Sequence, residues 1–292
     1  MIVMLADWLS FGWNGIFSLV SAIMKNVYES KYLMSCYSII LALIMLLHIK
    51  SIFDIVDFVR KPREQQQQQQ QSPIDIVRST AININRKGLL HWLCYDELPP
   101  AILLSNNGRT VMVNISAAPD CVPHLSSNYF PGNYYFVEAI FKWGSTEHSI
   151  DSRNYVLEMQ VLHATNWRGG HFDYVTVSYM FQRRRNYKNI QLSPIVDNLR
   201  GIVQPGSVIE LPPINLADLI KPFHKDYYSY LGSYDNGNTV LRTLWLMCPN
   251  IVYIGANQLA KFRTICNSNG CRIVHNACQL QPINSSALVY NR

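Results

Sequence analysis

No nucleic-acid-binding motif occurs in this chain of 292 residues, and its formal net charge of +6 is too mild to demand such a partner. That charge is compatible with an acidic partner or anionic lipid. The cysteines lack pattern: there are seven, and no spacing among them forces a disulfide or a zinc site. Cys36 lies in an apolar run, and Cys94, Cys121, Cys248, Cys266, Cys271 and Cys278 are expected as buried free thiols. No small-residue cleavage site follows the apolar run near the N-terminus, which argues against a cleaved signal peptide. Helical periodicity is sparse beyond residue 72, which points to a β-rich domain.

What is present begins with that apolar run. Residues 33–49 contain no charged side chain and are about long enough to cross a bilayer core. Residues 2–24 are also largely apolar, with Asp7, Ser10, Asn14, Ser18 and Ser21 on one narrow helical stripe. They either form a second spanning helix packed through that stripe or lie in the interface with the stripe toward water. Residues 1–60 are therefore expected to be a helical membrane anchor. Lys50, Arg60, Lys61 and Arg63 follow the second helix, so a hairpin places the rest of the chain in the cytoplasm. An interfacial first helix places it in the lumen, where sequons at Asn114 and Asn284 are usable. The balance leans to the cytoplasm. Residues 61–71, with Pro62 and seven consecutive glutamines, read as a polar linker to a domain at 72–292.

Within that domain, Ala101–Leu104, Val111–Ile115, Tyr134–Lys142, Val156–Leu162, Tyr174–Gln182 and Leu241–Met247 read as strands separated by Pro and Gly. Helices are expected at Ser193–Val203 and Asn257–Phe262. The plainest signal lies at 136–166. Apolar and polar residues alternate from Phe136 to Trp143 and from Tyr155 to His163, with a Gly-Ser-Thr turn between, as in two half-buried antiparallel strands.

Several blocks of this domain match one family. They are Gln71-Ser72-Pro73-Ile74-Asp75-Ile76, Leu104-Ser105-Asn106-Asn107-Gly108, Trp143-Gly144 with Glu147-His148, Glu158 with His163, and Gly232-Ser233 with Trp245 thirteen residues after Gly232. Gln258, Lys261-Phe262-Arg263, Asn276 and Gln281-Pro282 come after them in order. Together they resemble the α-class carbonic anhydrases over residues 71–283. The resemblance implies a mainly β fold, a twisted and mostly antiparallel central sheet with short peripheral helices. The disulfide positions of the family's secreted members fall near Gln66 and Thr239, so that bridge is absent.

The resemblance also implies a lost site. The three positions that hold zinc in the family are Ile140, Lys142 and Gln160 here. A catalytic zinc needs about three lone-pair ligands and an open position for water, whose pKa it lowers toward 7. Ile140 has no donor, a lysine ammonium repels the metal, and Gln160 offers one neutral carbonyl. No other His/Cys pair has metal-ligand spacing. The proton-shuttle position is Arg109, which does not titrate near neutrality. The hydroxide-orienting threonine corresponds to Asp235, the next threonine to Asn236, and the pocket leucine to Tyr234, which should narrow the pocket. Glu147, Glu158 and Asn276 persist, and Val177 with Trp245 should keep part of the apolar wall.

Zinc is thus not expected. Lys142 either pairs with Asp235 or Glu147 in the vacated space or reaches out to the pocket mouth over Tyr234. Arg183, Arg184, Arg185 and Lys188 form either a solvated charge run or a docking patch for an acidic protein, lipid or glycan. The expectation is a membrane-tethered, zinc-free carbonic-anhydrase-related module that binds a protein partner. A carbonic anhydrase with residual or altered metal-dependent activity and a structural subunit of a membrane complex are the alternatives.

Overall fold

A computed structural model describes residues 72–84, 89–116, 121–166, 172–282 and 288–292. The helices expected at 2–24 and 33–49, the linker at 61–71 and the sequon at Asn284 lie outside the described residues. Among the described residues, no helix is long and apolar enough to cross a membrane.

The strands are β1 (Asp75–Ile76), β2 (Ile82–Ile84), β3 (Leu90–Leu93), β4 (Ala101–Asn106), β5 (Val111–Ser116), β6 (His124–Ser127), β7 (Phe130–Trp143) and β8 (Ser149–Ile150). They continue as β9 (Leu157–Ala164), β10 (Tyr174–Arg184), β11 (Val208–Leu211), β12 (Tyr227–Asp235), β13 (Val240–Met247), β14 (Val252–Gly255) and β15 (Val289–Asn291). Among the described residues the α-helices are α1 (Ser193–Val196), α2 (Leu216–Ile220) and α3 (Ala256–Phe262). Thirteen strands form one sheet, whose main path runs β11-β4-β5-β7-β9-β10-β13-β12-β15-β2. Most ladders are antiparallel; β10 pairs in parallel with β13 and β14, and β15 with β2. The expected mainly β architecture is present.

The segment expected as one helix at Ser193–Val203 is broken. Only Ser193–Val196 is α-helical, and a 3-10 turn succeeds it at Leu199–Ile202. The Asn198 amide donates to the Pro194 carbonyl at 2.8 Å, and Gly201 disfavours a continued α-helix.

Alternation in β7 and β9 is real, but these strands are not half-buried. Side chains on successive residues take opposite faces. Ala139, Phe141 and Trp143 of β7 and Leu157, Met159 and Val161 of β9 pack into the main apolar core. The other face carries Glu138, Ile140, Lys142, Glu158 and Gln160, all of them buried as well. A second apolar cluster covers part of this face, including Ile74, Ile140, Tyr230, Tyr234 and Trp245. Val177 has the opposite parity to Ser178 and belongs to the main core, so it does not line the site as expected. Among the six described cysteines only Cys248 and Cys266 are buried; Cys94 and Cys121 are half-buried, and Cys271 and Cys278 are exposed, so the expectation of buried thiols fails for four of the six.

Candidate functional site: a buried ion pair at the floor of a small pocket

The inner polar face is built by register. Ile140 lies opposite Gln160, and Lys142 opposite Glu158; Gln160 lies opposite Ser178 on β10. The turn after β7 supplies Glu147 and His148. Gly144 makes that turn with φ near +90°, and a Cβ there would meet the Val274 carbonyl oxygen at 2.8 Å. Asn276 holds the same corner by accepting from the Trp143 N–H at 2.7 Å and donating to the Phe141 carbonyl at 3.0 Å.

Lys142 is 4% exposed, and its Nζ lies 3.0 Å from Glu147 Oε1. It also donates to the Asp235 backbone carbonyl at 3.0 Å. Of the two partners considered, Glu147 takes the pair. The Asp235 carboxylate instead accepts from the Gly237 N–H at 2.6 Å, closing the turn after β12. Glu147 is satisfied further by Gln160 Nε2 at 2.8 Å and the Cys278 N–H at 3.3 Å.

Gln160 joins two carboxylates. Its amide nitrogen also donates to Glu158 Oε1 at 2.9 Å, while Gln160 Oε1 is buried with no hydrogen-bond partner among the described residues. Turning the amide over would aim that oxygen at both carboxylates, so the orientation follows from charge. Glu158 is fully buried and accepts from the His148 N–H at 3.0 Å, His148 Nδ1 at 2.7 Å and the Ser178 hydroxyl at 2.8 Å. Burial pushes its carboxyl up, but the His148 charge and these donors outweigh that and hold it below the usual range. His148 Nε2 meets the Tyr230 hydroxyl at 2.6 Å, which meets Ser72 Oγ at 2.7 Å. Gly232 admits this contact, because a Cβ there would stand 2.2 Å from Ser72 Oγ. A continuous polar chain thus runs from Lys142 to Ser72.

Above Lys142 is a cavity of about 260 Å³, rimmed by Gly108, Arg109, Asp235, Asn236, His275 and Cys278. That volume is below the usual range of pockets enclosing drug-sized ligands. Arg109 is exposed at the rim. Burial and Glu147 push the Cys278 thiol up to about 11. Tyr234 does not narrow this cavity; it is buried in the second apolar cluster and donates to Glu138 Oε1 at 2.8 Å. Alternation alone did not single out Glu138 as a partner, and His275 and Cys278 belong to irregular chain with no periodic signal.

The basic residues lie elsewhere. Arg183 and Arg184 end β10 rather than lying beyond it, and Arg183, Arg184, Arg185 and Lys188 are all exposed. The Arg184 guanidinium lies over the Tyr187 and Tyr253 rings, 5.5 and 5.3 Å from their centroids. Lys188 is 3.7 Å from Asp197, which Lys261 also contacts.

Residues 60–292 match the family model for eukaryotic-type carbonic anhydrase. The chain belongs to that family. It is 24% identical to carbonic anhydrase 6 of Bos taurus over 239 residues, which is 75% of this chain and 72% of that protein. It is 23% identical to carbonic anhydrase 6 of Homo sapiens over 237 residues, 75% of each chain. Against carbonic anhydrase 15 of Mus musculus it is 26% identical over 187 residues, covering 59% of this chain and 58% of that protein. For a carbonic anhydrase domain, then, the face that the resemblance assigns to zinc carries an isoleucine, an ion-paired lysine and an amide shared by two carboxylates.

Proposed function

We propose that this carbonic anhydrase domain is zinc-free at the family site, does not hydrate CO₂, and serves as a protein-binding or assembly module tethered to a membrane by residues 1–60. The observation that carries this reading is the Lys142–Glu147 pair at 3.0 Å. A cation already occupies the acidic floor, and its protons are used by Glu147 and the Asp235 carbonyl. Ile140 packs in the apolar cluster. The remaining candidate ligand, Gln160 Oε1, is a single neutral carbonyl, and zinc sites use three or four stronger donors. These residues do not fit a catalytic zinc. Arg109 stands at the rim where the resemblance places the proton-shuttle histidine, so the proton-transfer step lacks its group as well.

Purified full-length protein is expected to hydrate CO₂ no faster than buffer, with or without added zinc. A zinc-dependent rate abolished by a chelator would favour the alternative of altered metal-dependent activity. For the tether, a chain truncated to residues 72–292 is expected in the supernatant after high-salt and carbonate washing, whereas the full chain sediments with membranes. Recovery of the truncated chain in the washed membrane pellet would overturn the tether. Protease protection in sealed membranes reads the side. A hairpin of residues 2–24 and 33–49 leaves the domain on the cytoplasmic face, and an interfacial 2–24 leaves it in the lumen. Native size after mild detergent extraction separates a free tethered module from a subunit of a larger complex.

The exposed Arg183, Arg184, Arg185 and Lys188 support an acidic partner or lipid surface as what the module meets.

A further inference from the structure

We infer that Cys94, Glu97 and Cys121 form a binding site for a thiophilic divalent cation, zinc above all, separate from the pocket that holds Lys142. None of the three lines that pocket. Their proximity comes from the pairing of β3 with β6. Leu93 lies opposite His124, so Cys94, just past the end of β3, and Cys121, three residues before β6, meet at one end of the ladder. Cys94 has φ near +60°, in the left-handed region that a side chain seldom takes, and the chain turns back so that Glu97 joins the two thiols. The two sulfurs and a Glu97 carboxylate oxygen all lie within 4.8 Å of one another.

Tetrahedral zinc with Zn–S near 2.3 Å and Zn–O of about 2.0–2.2 Å puts its ligand atoms roughly 3.4–3.8 Å apart. The cluster therefore needs to close by no more than about an ångström or so to hold the ion. Two thiolates and a carboxylate carry three negative charges against the metal's two positive ones, and a water completes the fourth position. Calcium and magnesium take oxygen donors, so two sulfurs of three select against them. The thiols are half-buried and the carboxylate exposed, which leaves an entry path. A disulfide between Cys94 and Cys121 would give Glu97 no role. A consequence is that total zinc content does not report on residues 140, 142 and 160.

The test uses reduced, full-length protein in detergent, titrated with Co²⁺. One equivalent per chain is expected to produce a thiolate-to-cobalt charge-transfer band, which zinc then displaces. Cys94→Ser/Cys121→Ser is expected to lose the band entirely. It should keep the metal-free melting midpoint of the unsubstituted chain but lose the rise in midpoint that zinc causes. Glu97→Gln, which keeps both thiols and folds on the same turn, is expected to retain the band and bind zinc more weakly. Absence of the band in the unsubstituted chain, or its survival in the double variant, overturns the site. So does a Cys94–Cys121 disulfide in protein isolated without reductant, if no metal is taken up after reduction.

Discussion

Lys142→Ala is expected to lower the stability of the domain by roughly 3–5 kcal/mol, the cost of stranding a buried charge by removing its partner. Both side chains of the pair are about as buried as core residues, at 6% and 5% exposed. Solvent therefore does little to replace the lost ammonium. Among the described residues, Glu147 would keep the Gln160 amide and the N–H and thiol of Cys278, none of which carries a positive charge. For a domain of this size the loss corresponds to a fall in melting midpoint of roughly 6–20 °C. The pair need not be net stabilising to give this result, since desolvation of two ions offsets much of their attraction. The informative comparison is therefore Lys142→Met/Glu147→Gln, which removes both charges and is expected to cost less than Lys142→Ala alone. Thermal and urea unfolding of the three variants measure this. A loss under about 1 kcal/mol in Lys142→Ala, the range of solvated surface pairs, would show that water reaches Glu147.

Acidification is expected to destabilise the domain from about pH 6.5 downward, at about 1.4 kcal/mol per pH unit from one residue. That residue is His163. It is fully buried, with Nδ1 3.3 Å from the Val175 carbonyl and Nε2 against the Tyr95 hydroxyl. Burial pushes its pKa down to about 3. The unfolded chain binds a proton at this histidine below its ordinary value of 6.5, while the folded chain stays neutral. Between those two values the unfolded state holds more protons, so stability is complete above 6.5 and falls as pH drops toward 3. Glu158 adds to this at lower pH. Its depressed carboxyl stabilises the fold above its unfolded value of 4.5, and the contribution is lost as pH falls through the folded value. His163→Gln, which retains an acceptor for Tyr95, is expected to flatten the profile between pH 6.5 and 4.5. Urea unfolding at several pH values reads the slope, and an unchanged slope in that variant would assign the acid sensitivity to other groups.

The strands expected at 101–104, 111–115, 134–142, 156–162, 174–182 and 241–247 were legible because period-two alternation and β-branched or aromatic residues act locally. The carbonic anhydrase family was legible from short ordered blocks, and so was the lack of histidine at Ile140, Lys142 and Gln160, the positions that the resemblance assigns to zinc. Whether the polar face of β7 and β9 would meet water or protein was not. Alternation places Lys142, Glu158 and Gln160 on one side, but Ser72, Tyr230 and Cys278 come from distant parts of the chain to cover it. Lys142 had two acidic candidates in sequence; the backbone N–H of Gly237 claims the Asp235 carboxylate and leaves Glu147 for the ammonium. Cys94, Glu97 and Cys121 show no metal-ligand spacing along the chain, because their proximity is made by the β3–β6 ladder. Local propensity is a property of neighbours in sequence, and hence readable. Partner choice among buried charges depends on which donors long-range packing brings within about 3 Å, and that only the tertiary structure decides.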